Sequence, residues 1–402
     1  MRRLAIKKLP EYRGNRLRCV NQMAISPVLH LVESLSRLGG VETFVNDWVA
    51  ADTNSFAAAL LDSQKNIPGV SGKKAGLRPN RFCSLAAVRN DARRRRWQCG
   101  TLICHNFAGL TSLSDVIAPE RLVVCLHTNS ADVWPRLLRL APFVDGFITG
   151  GKSLAEKTRE LLGASQVVIA PFESPLDDSF FRVRRPQKSG PILVGFAGRL
   201  VVEQKRVDRL KEFCEALVSR GVDFRLQITG EGPDKVMLEK LLAPFPVDFL
   251  GMLGREKVAE TFAGWDFQII TSDYETGPAS ALEGMACGTI PIFPEMKCQV
   301  TEVLGGKFDR LLYPVGKMQD AAARLQVLSG LPPAELEALR SDLRALVAGK
   351  SMANHLPAVY KTLEEIHAQP SRRKPISFES RWRDHLPFAI RCRLPGRDDF
   401  LM

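Results

Sequence analysis

The sequence predicts an α/β protein with parallel strands, divided into two domains. From about residue 27, short aliphatic or β-branched runs bounded by glycine or polar residues alternate with stretches of helical periodicity, the pattern of strands joined by helical crossovers. The strand-like runs fall into two series of about five. Between the series lies PFESPLDDSFFRVRRPQKSGP, residues 171–191, rich in proline and charge and without a sustained period, as an interdomain connection would be.

The first series is expected at 27–32, 101–104, 122–126, 146–149 and 167–170, and the second at 192–197, 224–229, 247–250, 267–271 and 289–293. Residues 64–80, with four Lys/Arg and several Gly and Pro, read as a surface loop. The expected organisation is a basic extension over 1–25, a first domain over 26–181, a linker over 182–190, a second domain over 191–348, and a helix with a basic tail over 349–402. No internal repeat is visible.

Composition bounds the function. The 402 residues are 45% hydrophobic and 25% charged, which excludes disorder over most of the length. The nine cysteines include no C-x-x-C pair, so neither a disulfide framework nor a zinc knuckle is suggested and a reducing, cytoplasmic setting is expected. No apolar run approaches the roughly 18 residues needed to span a bilayer. The net charge of +12 is regional: residues 1–100 carry +11, residues 368–402 carry +4, and the stretch between carries −3. A basic first half and tail suit an anionic partner, a membrane surface or nucleic acid, or are simply solvated. Nucleic acid is not expected, because aromatic residues do not interleave with the basic ones and the middle of the chain is acidic.

The strongest chemical signal is SDYETGPASALEGMACGTIPI. A buried strand ends in a loop holding Glu275; Gly277 and Pro278 then open a short helix, with Pro278 at the first helical position, and Gly288 closes it. The free N–H groups of that helix start lie beyond the C-terminal edge of the sheet, where such folds bind ligands and where a diphosphate is stabilised. Glu275 and Glu283 flank this anion site. Two carboxylates beside phosphates would repel them, so their partners are hydroxyls of a sugar and a ribose. Glu283 also has apolar neighbours, Ala281, Leu282, Met285 and Ala286, and a charge buried there needs a reason.

A second constellation is GFAGRLVVEQKRVDRL, residues 195–210. Gly198 allows close backbone approach, and Arg199 with Lys205 six residues on supplies two cations suited to a leaving diphosphate. The chain has no Asp-x-Asp, so these cations would take the electrostatic task a bound divalent metal performs elsewhere. A third, SLSRLGGVETFVNDW, places Gly39 and Gly40 between a first strand and helix, which admits a phosphate or serves as a plain turn. Of six histidines, His127 follows an apolar strand at the mouth of the first domain. His30 reads as a core residue and His105 as a cleft candidate, whereas His355, His367 and His385 carry no clear signal.

Taken in order, G-G-V-E, a strand-end histidine, G-R-L followed by E-Q-K, and Glu275 with Glu283 ahead of G-M-A-C-G-T-I-P-I resemble glycosyltransferase family 4. The resemblance runs from about residue 27 to 345 and is most specific over 195–293. It implies a GT-B architecture: two Rossmann-like, doubly wound domains facing across a cleft, with the donor held mainly by the second. It implies a retaining, metal-independent hexosyltransferase that uses a UDP-sugar or GDP-sugar and needs no cofactor. Carried over by position, Arg199 and Lys205 match the pair gripping the donor diphosphate. Glu275 matches the acid at the sugar hydroxyls, Glu283 the acid at the ribose, Gly39 and Gly40 the loop over the phosphates, and His127 a cleft histidine near the sugar. Gly198 and Gly277 fall within the same donor-binding segments. Where many members read E-G-F-G, this chain has Glu275-Thr276-Gly277-Pro278.

The acceptor is expected to meet the first domain. Residues 88–97, VRNDARRRRW, set four arginines beside a tryptophan, which suits anionic headgroups with the indole at the interface. The expectation is a cytoplasmic protein peripheral to the inner membrane face, acting on a saccharide or lipid-linked saccharide in polysaccharide or lipopolysaccharide assembly. A nucleotide-sugar epimerase or glycan phosphorylase on the same frame, a catalytically dead glycan-binding relative, and a basic nucleic-acid-binding protein are the alternatives.

Overall fold

The computed structural model describes residues 27–36, 39–62, 73–77, 84–95, 99–163, 167–187, 189–371 and 373–376, with Ile25, Trp97 and His385. The expectations for the extension before residue 25 and for most of the basic tail lie outside the described residues.

Two all-parallel sheets form the frame. In the first, β1 (Val28–Val32), β2 (Ser55–Ala59), β3 (Lys74–Gly76), β4 (Thr101–His105), β5 (Arg121–Leu126), β6 (Gly146–Gly150) and β7 (Val168–Phe172) lie in the order β3-β2-β1-β4-β5-β6-β7. The helices of this half are α1 (Gly40–Ala51), α2 (Leu85–Arg95), α3 (Leu110–Ile117), α4 (Val133–Leu140) and α5 (Lys152–Leu162). The order reverses at β1, so the C-terminal edge there opens a crevice. Both faces are covered, as parallel sheets require: Leu29, Leu31, Leu102, Leu122 and Val124 pack on one side, and Val28, Val32, Ile103, Val123 and Cys125 on the other.

A short helix, α6 (Ser179–Arg182), precedes the second sheet. That sheet runs β10-β9-β8-β11-β12-β13, from β8 (Ile192–Ala197), β9 (Phe224–Thr229), β10 (Val247–Gly251), β11 (Phe267–Ile269), β12 (Ile290–Glu295) and β13 (Leu312–Pro314). Its helices are α7 (Val202–Lys205), α8 (Arg209–Ser219), α9 (Lys235–Leu242), α10 (Arg255–Gly264), α11 (Ala279–Ala286), α12 (Gln299–Leu304), α13 (Met318–Ser329) and α14 (Pro333–Val347). The final helix, α15 (Met352–Ala368), returns to the first sheet. Its Val359, Leu363 and Ile366 enter the core beside Trp48 and Val45, and Tyr360 Oη donates to Asp52 Oδ2 at 2.6 Å. Among the described residues no helix is long and apolar enough to cross a membrane.

Three strands depart from the sequence reading. β3 lies inside the stretch read as a surface loop, and β13 was not foreseen; each has three residues, too few to show a period. β2 reads SFAAA, and alanine is poor in strand propensity. Its small side chains are nonetheless buried, with Ala57, Ala58 and Ala59 paired to His30, Leu31 and Val32. The arginines beside Trp97 also find local employment. Arg93, Arg94 and Arg95 occupy the last turn of α2, where cations complement the helix dipole. Arg95 pairs with Asp91 at 2.7 Å and lies 5.6 Å over the Trp97 ring.

Glycines permit the closest approach in the second domain. A Cβ on Gly195 would stand 1.9 Å from ring atoms of the buried Trp265, whose Nε1 donates to Gln227. Gly195→Ala is therefore expected to cost roughly 3 kcal/mol through overpacking, read as a lowered urea midpoint. An unchanged midpoint would contradict this packing.

Candidate active site

The C-terminal edges of the two sheets face each other, and their βα loops meet. The β8–α7 loop carries Gly198 and Arg199 and rests on the turn after β9. Leu200 N donates to Glu231 O at 2.9 Å, and a Cβ on Gly230 or Gly232 would strike Gly198 O or Leu200 O at 1.9 and 2.1 Å. The sequence T-G-E-G after β9 is thus the floor of the arginine loop. Arg199 itself is exposed and has no ion pair among the described residues.

Lys205 ends α7 and is stitched to the loop after β11. Thr271 Oγ1 donates to Lys205 O at 2.6 Å, and Asp273 N donates to Gln204 O at 3.0 Å. Arg206 and Arg209 share the Asp273 carboxylate at 2.9 and 2.6 Å. This backbone stitching brings Lys205 Nζ to 2.6 Å from Glu275 Oε1, which also accepts from Ser272 Oγ at 2.6 Å. Glu275 is only 6% exposed. The cation–carboxylate pair thus stands preformed, eight residues beyond the end of β8 and six beyond the end of β11.

The Glu275 loop also clasps the first domain. Thr276 Oγ1 donates to His127 O at 2.6 Å, and Asn129 Nδ2 donates to Glu275 O at 3.3 Å. Gln299 N donates to Thr276 O at 2.8 Å, while Gln299 Oε1 accepts from Ser174 N. Gly277 is boxed in by these groups: a Cβ there would lie 2.4 Å from Ser174 Oγ. Sequence reasoning missed the clasp, because only the fold brings residues 127–129 to 275–276.

Pro278 is the N-cap of α11 rather than its first helical residue, since the helix begins at Ala279. Pro278 has ψ of 89°, outside the helical range that a first helical position requires. Gly288, with φ of +84°, follows the helix end as read. Glu283 lies inside this helix, and burial pushes its carboxyl up to about 7 against the opposing pull of Arg255. Arg255 spans the cleft wall, 2.9 Å from Asp47 on α1 and 2.7 Å from Asp177. A further interdomain contact is Glu302, whose carboxylate accepts from Lys152 N and Ser153 N at the start of α5.

In the first domain, Gly39 caps α1 and Gly40 begins it, both exposed. A Cβ on Gly39 would lie 2.5 Å from Glu42 Oε2. The preceding loop is tied by Asp62, which accepts from Ser36 N at 2.9 Å and Ser36 Oγ at 2.7 Å. His127 is half-buried at the clasp, with Phe44 and Phe172 rings 5.1 and 5.6 Å away. Behind it His105 is fully enclosed rather than cleft-lining: its Nδ1 is 2.7 Å from His127 Nε2, and its Nε2 is 2.9 Å from His30 Nδ1. His30 is a core residue as read, but a hydrogen-bonded one. His367 Nε2 lies 2.9 Å from Thr101 Oγ1.

One group of metal-type donors stands close together among the described residues, His105, Cys125 and His127, within 4.8 Å. Its two imidazoles are hydrogen-bonded to each other, and burial pushes the Cys125 thiol well up, so the set is occupied internally. Beside the clasp lies a cavity of about 270 Å³ lined from both domains, by Asn129, Trp134, Ser153 and Lys157 on one side and Thr276 and Lys297 on the other.

Comparison with known proteins agrees with this geometry. Residues 177–344 match the family profile of the glycosyl transferases group 1. The GDP-mannose-dependent alpha-(1-6)-phosphatidylinositol dimannoside mannosyltransferase of Mycobacterium tuberculosis is 40% identical over 157 residues, covering 37% of this chain and 41% of that protein. The chain thus spans about two fifths of the length of that curated relative. Among solved structures, Anabaena HepE in complex with UDP and glucose superposes with a TM-score of 0.66 at 15% identity, covering 85% of this chain and all of that one. Sucrose-phosphate synthase from Thermosynechococcus elongatus gives 0.67 at 15% identity, covering 84% and 99%. With two facing parallel sheets, the Arg199–Lys205 and Glu275–Glu283 segments at their meeting edges, and these similarities, the chain has the GT-B fold and its residues 177–344 match the group 1 glycosyl transferases.

Proposed function

We propose that the protein is a retaining, metal-independent hexosyltransferase taking its sugar from a nucleoside-diphosphate sugar. The observation that carries this is the preformed Lys205–Glu275 pair beside the start of α11. Lys205 and Arg199 hold the donor diphosphate and offset the charge that grows on it as the bond from the sugar's C1 to phosphate oxygen breaks. Glu275 accepts from the sugar hydroxyls and Glu283 from those of the ribose. The acceptor oxygen bonds to C1 on the face the phosphate leaves, and its proton passes to a phosphate oxygen. Gly198 and Gly277 let backbone close on the donor, and Gly39 with Gly40 covers the phosphates from the first domain. His127 faces the sugar.

The GDP-mannose dependence of the mycobacterial relative, which matches over 37% of the chain, makes GDP-mannose the first donor to test, ahead of the UDP-sugars. The interdomain cavity is the natural seat of the acceptor: the Trp134 ring offers an apolar face, Asn129 and Thr276 offer hydrogen bonds, and Lys157 and Lys297 place cations at its rim. A saccharide carrying phosphate, as in a lipid-linked acceptor for cell-surface polysaccharide or lipopolysaccharide, suits that lining. Arg93 and Arg94, exposed on the same domain, suit peripheral contact with an anionic membrane from the cytoplasmic side.

Turnover tests the clamp. With EDTA present, release of nucleoside diphosphate from the preferred sugar nucleotide is expected to slow by about 10²–10³ in Lys205→Ala or Arg199→Ala, the scale of losing one preorganised donor. Unchanged turnover would contradict the assignment.

Glu283 makes a pH prediction. Its carboxyl, held up to about 7 by burial, accepts from ribose hydroxyls best when ionised, so binding releases its proton. Affinity for an intact sugar nucleotide is expected to rise between pH 6 and 8, and Glu283→Gln is expected to flatten that rise. Calorimetry showing tighter binding at the acid end would overturn the ribose role.

A further inference from the structure

Of three neighbouring strands in the first sheet, two carry one histidine each and the third is followed directly by one, and their register explains why these meet. β1, β4 and β5 are adjacent and parallel. His30 pairs with Ile103, so His105 sits two residues further on the same face; His105 pairs with Cys125, so His127 sits two further again. The result is a diagonal row stepping toward the cleft, with ring centroids 5.2 and 5.0 Å apart and rings tilted 27° and 22°. Two hydrogen bonds join it, His30 Nδ1 to His105 Nε2 at 2.9 Å and His105 Nδ1 to His127 Nε2 at 2.7 Å.

All three rings are neutral. Burial lowers His30 and His127 to about 3 and His105 well below its ordinary value. The groups facing His127 are uncharged: His105 on β4, Phe44 on α1, Phe172 on β7, and Asn106 and Thr276 on its backbone. At the far end of the row Asp52 acts on His30 without outweighing burial.

A neutral imidazole has one N–H, so two internal hydrogen bonds force all three protons to align. Aligned toward the core, the row would leave a proton on His30 Nε2, which is buried and has no hydrogen-bond partner among the described residues. The Trp48 ring, edge-on to His30 with centroids 4.6 Å apart, offers at most a weak N–H···π contact. Aligned toward the cleft, the row leaves only a bare lone pair at that buried end. Orphaned buried N–H groups are rarer than orphaned acceptors, so the outward alignment wins.

We infer that His30 and His105 are positioning residues that lock His127 as a neutral Nδ1–H donor directed into the cleft. His127 Nδ1 is the one unpartnered ring nitrogen of the row that is not sealed in the core. The ligand atom it recognises is therefore an oxygen acceptor, a hydroxyl or phosphate oxygen of the sugar nucleotide. That identity rests on the proposed function; the tautomer does not. His127 thus carries a proton where a general base would need a lone pair, so it cannot take the proton of the incoming hydroxyl.

Long-range ¹H–¹⁵N correlation spectra of the ¹⁵N-labelled full chain at pH 7, without nucleotide, read the tautomers directly. Expected are three neutral imidazoles protonated at Nδ1, with assignments from single substitutions. A proton on His127 Nε2, or an imidazolium signal, would overturn the inference. His105→Asn retains an amide N–H near the Nδ1 position and is expected to keep His127 in the same tautomer, whereas His105→Leu is expected to mix its two forms. An unmixed His127 in His105→Leu would show that the row does not set it. In sugar-nucleotide turnover, kcat/KM is expected to fall about tenfold in His105→Leu, the scale of one hydrogen bond, and to recover in His105→Asn. Loss of turnover in every form with the predicted spectra intact would fault the functional reading and leave the histidine row standing.

Discussion

The hydrogen bond from Thr276 Oγ1 to the carbonyl of His127, 2.6 Å long, ties the loop after β11 to the loop after β5. Much of the site follows from that contact. It can form only because both sheets present C-terminal edges to each other, the side on which parallel sheets place their βα loops and ligands. It sets Glu275 one residue from the junction and leaves the histidine row ending there. A chain that folded both sheets correctly but splayed them apart would keep Lys205 beside Glu275 and would lose the enclosure around them.

Enclosure makes the charges consequential. A carboxylate as buried as Glu275 is tolerated because Lys205 and Ser272 satisfy it, and removing one partner of such a pair leaves an uncompensated charge. Glu283 meets the same problem differently. Without a direct partner among the described residues, its carboxyl is pushed up by burial to about 7, within the field of an Arg255 already engaged by Asp47 and Asp177. The histidines answer burial by discharging altogether. Below pH 6.5 the unfolded chain protonates His30, His105 and His127 while the folded one does not, so these residues lower stability progressively as the solution is acidified.

Much of this was legible in the sequence because apolar runs and loop residues act locally. Strands such as ILVGFA and FRLQIT announce themselves by composition, and β8 and β9 fall on the expected residues. The Gly198–Lys205 and Glu275–Glu283 segments were readable because a strand end, a glycine and a helix start lie within a few residues. Illegible were features needing register. SFAAA looks nothing like a strand until it pairs with β1, and His30, His105 and His127 look unrelated until the offset of two residues per strand is known. Even so, each histidine stands within or just after an apolar run, and that shared position was the available signal. The Arg255–Asp47 and Glu302–Ser153 contacts join residues roughly 150 to 200 apart, and nothing local encodes them.

On the function proposed above, the facing edges form a metal-independent site for a nucleoside diphosphate and its sugar. Calorimetric titration of the full chain with GDP, UDP and their hexose conjugates, in EDTA, tests it most directly. Saturable binding of one nucleoside diphosphate, tightened or retained when the sugar is present, is expected. A well-folded sample that binds none of them would contradict it.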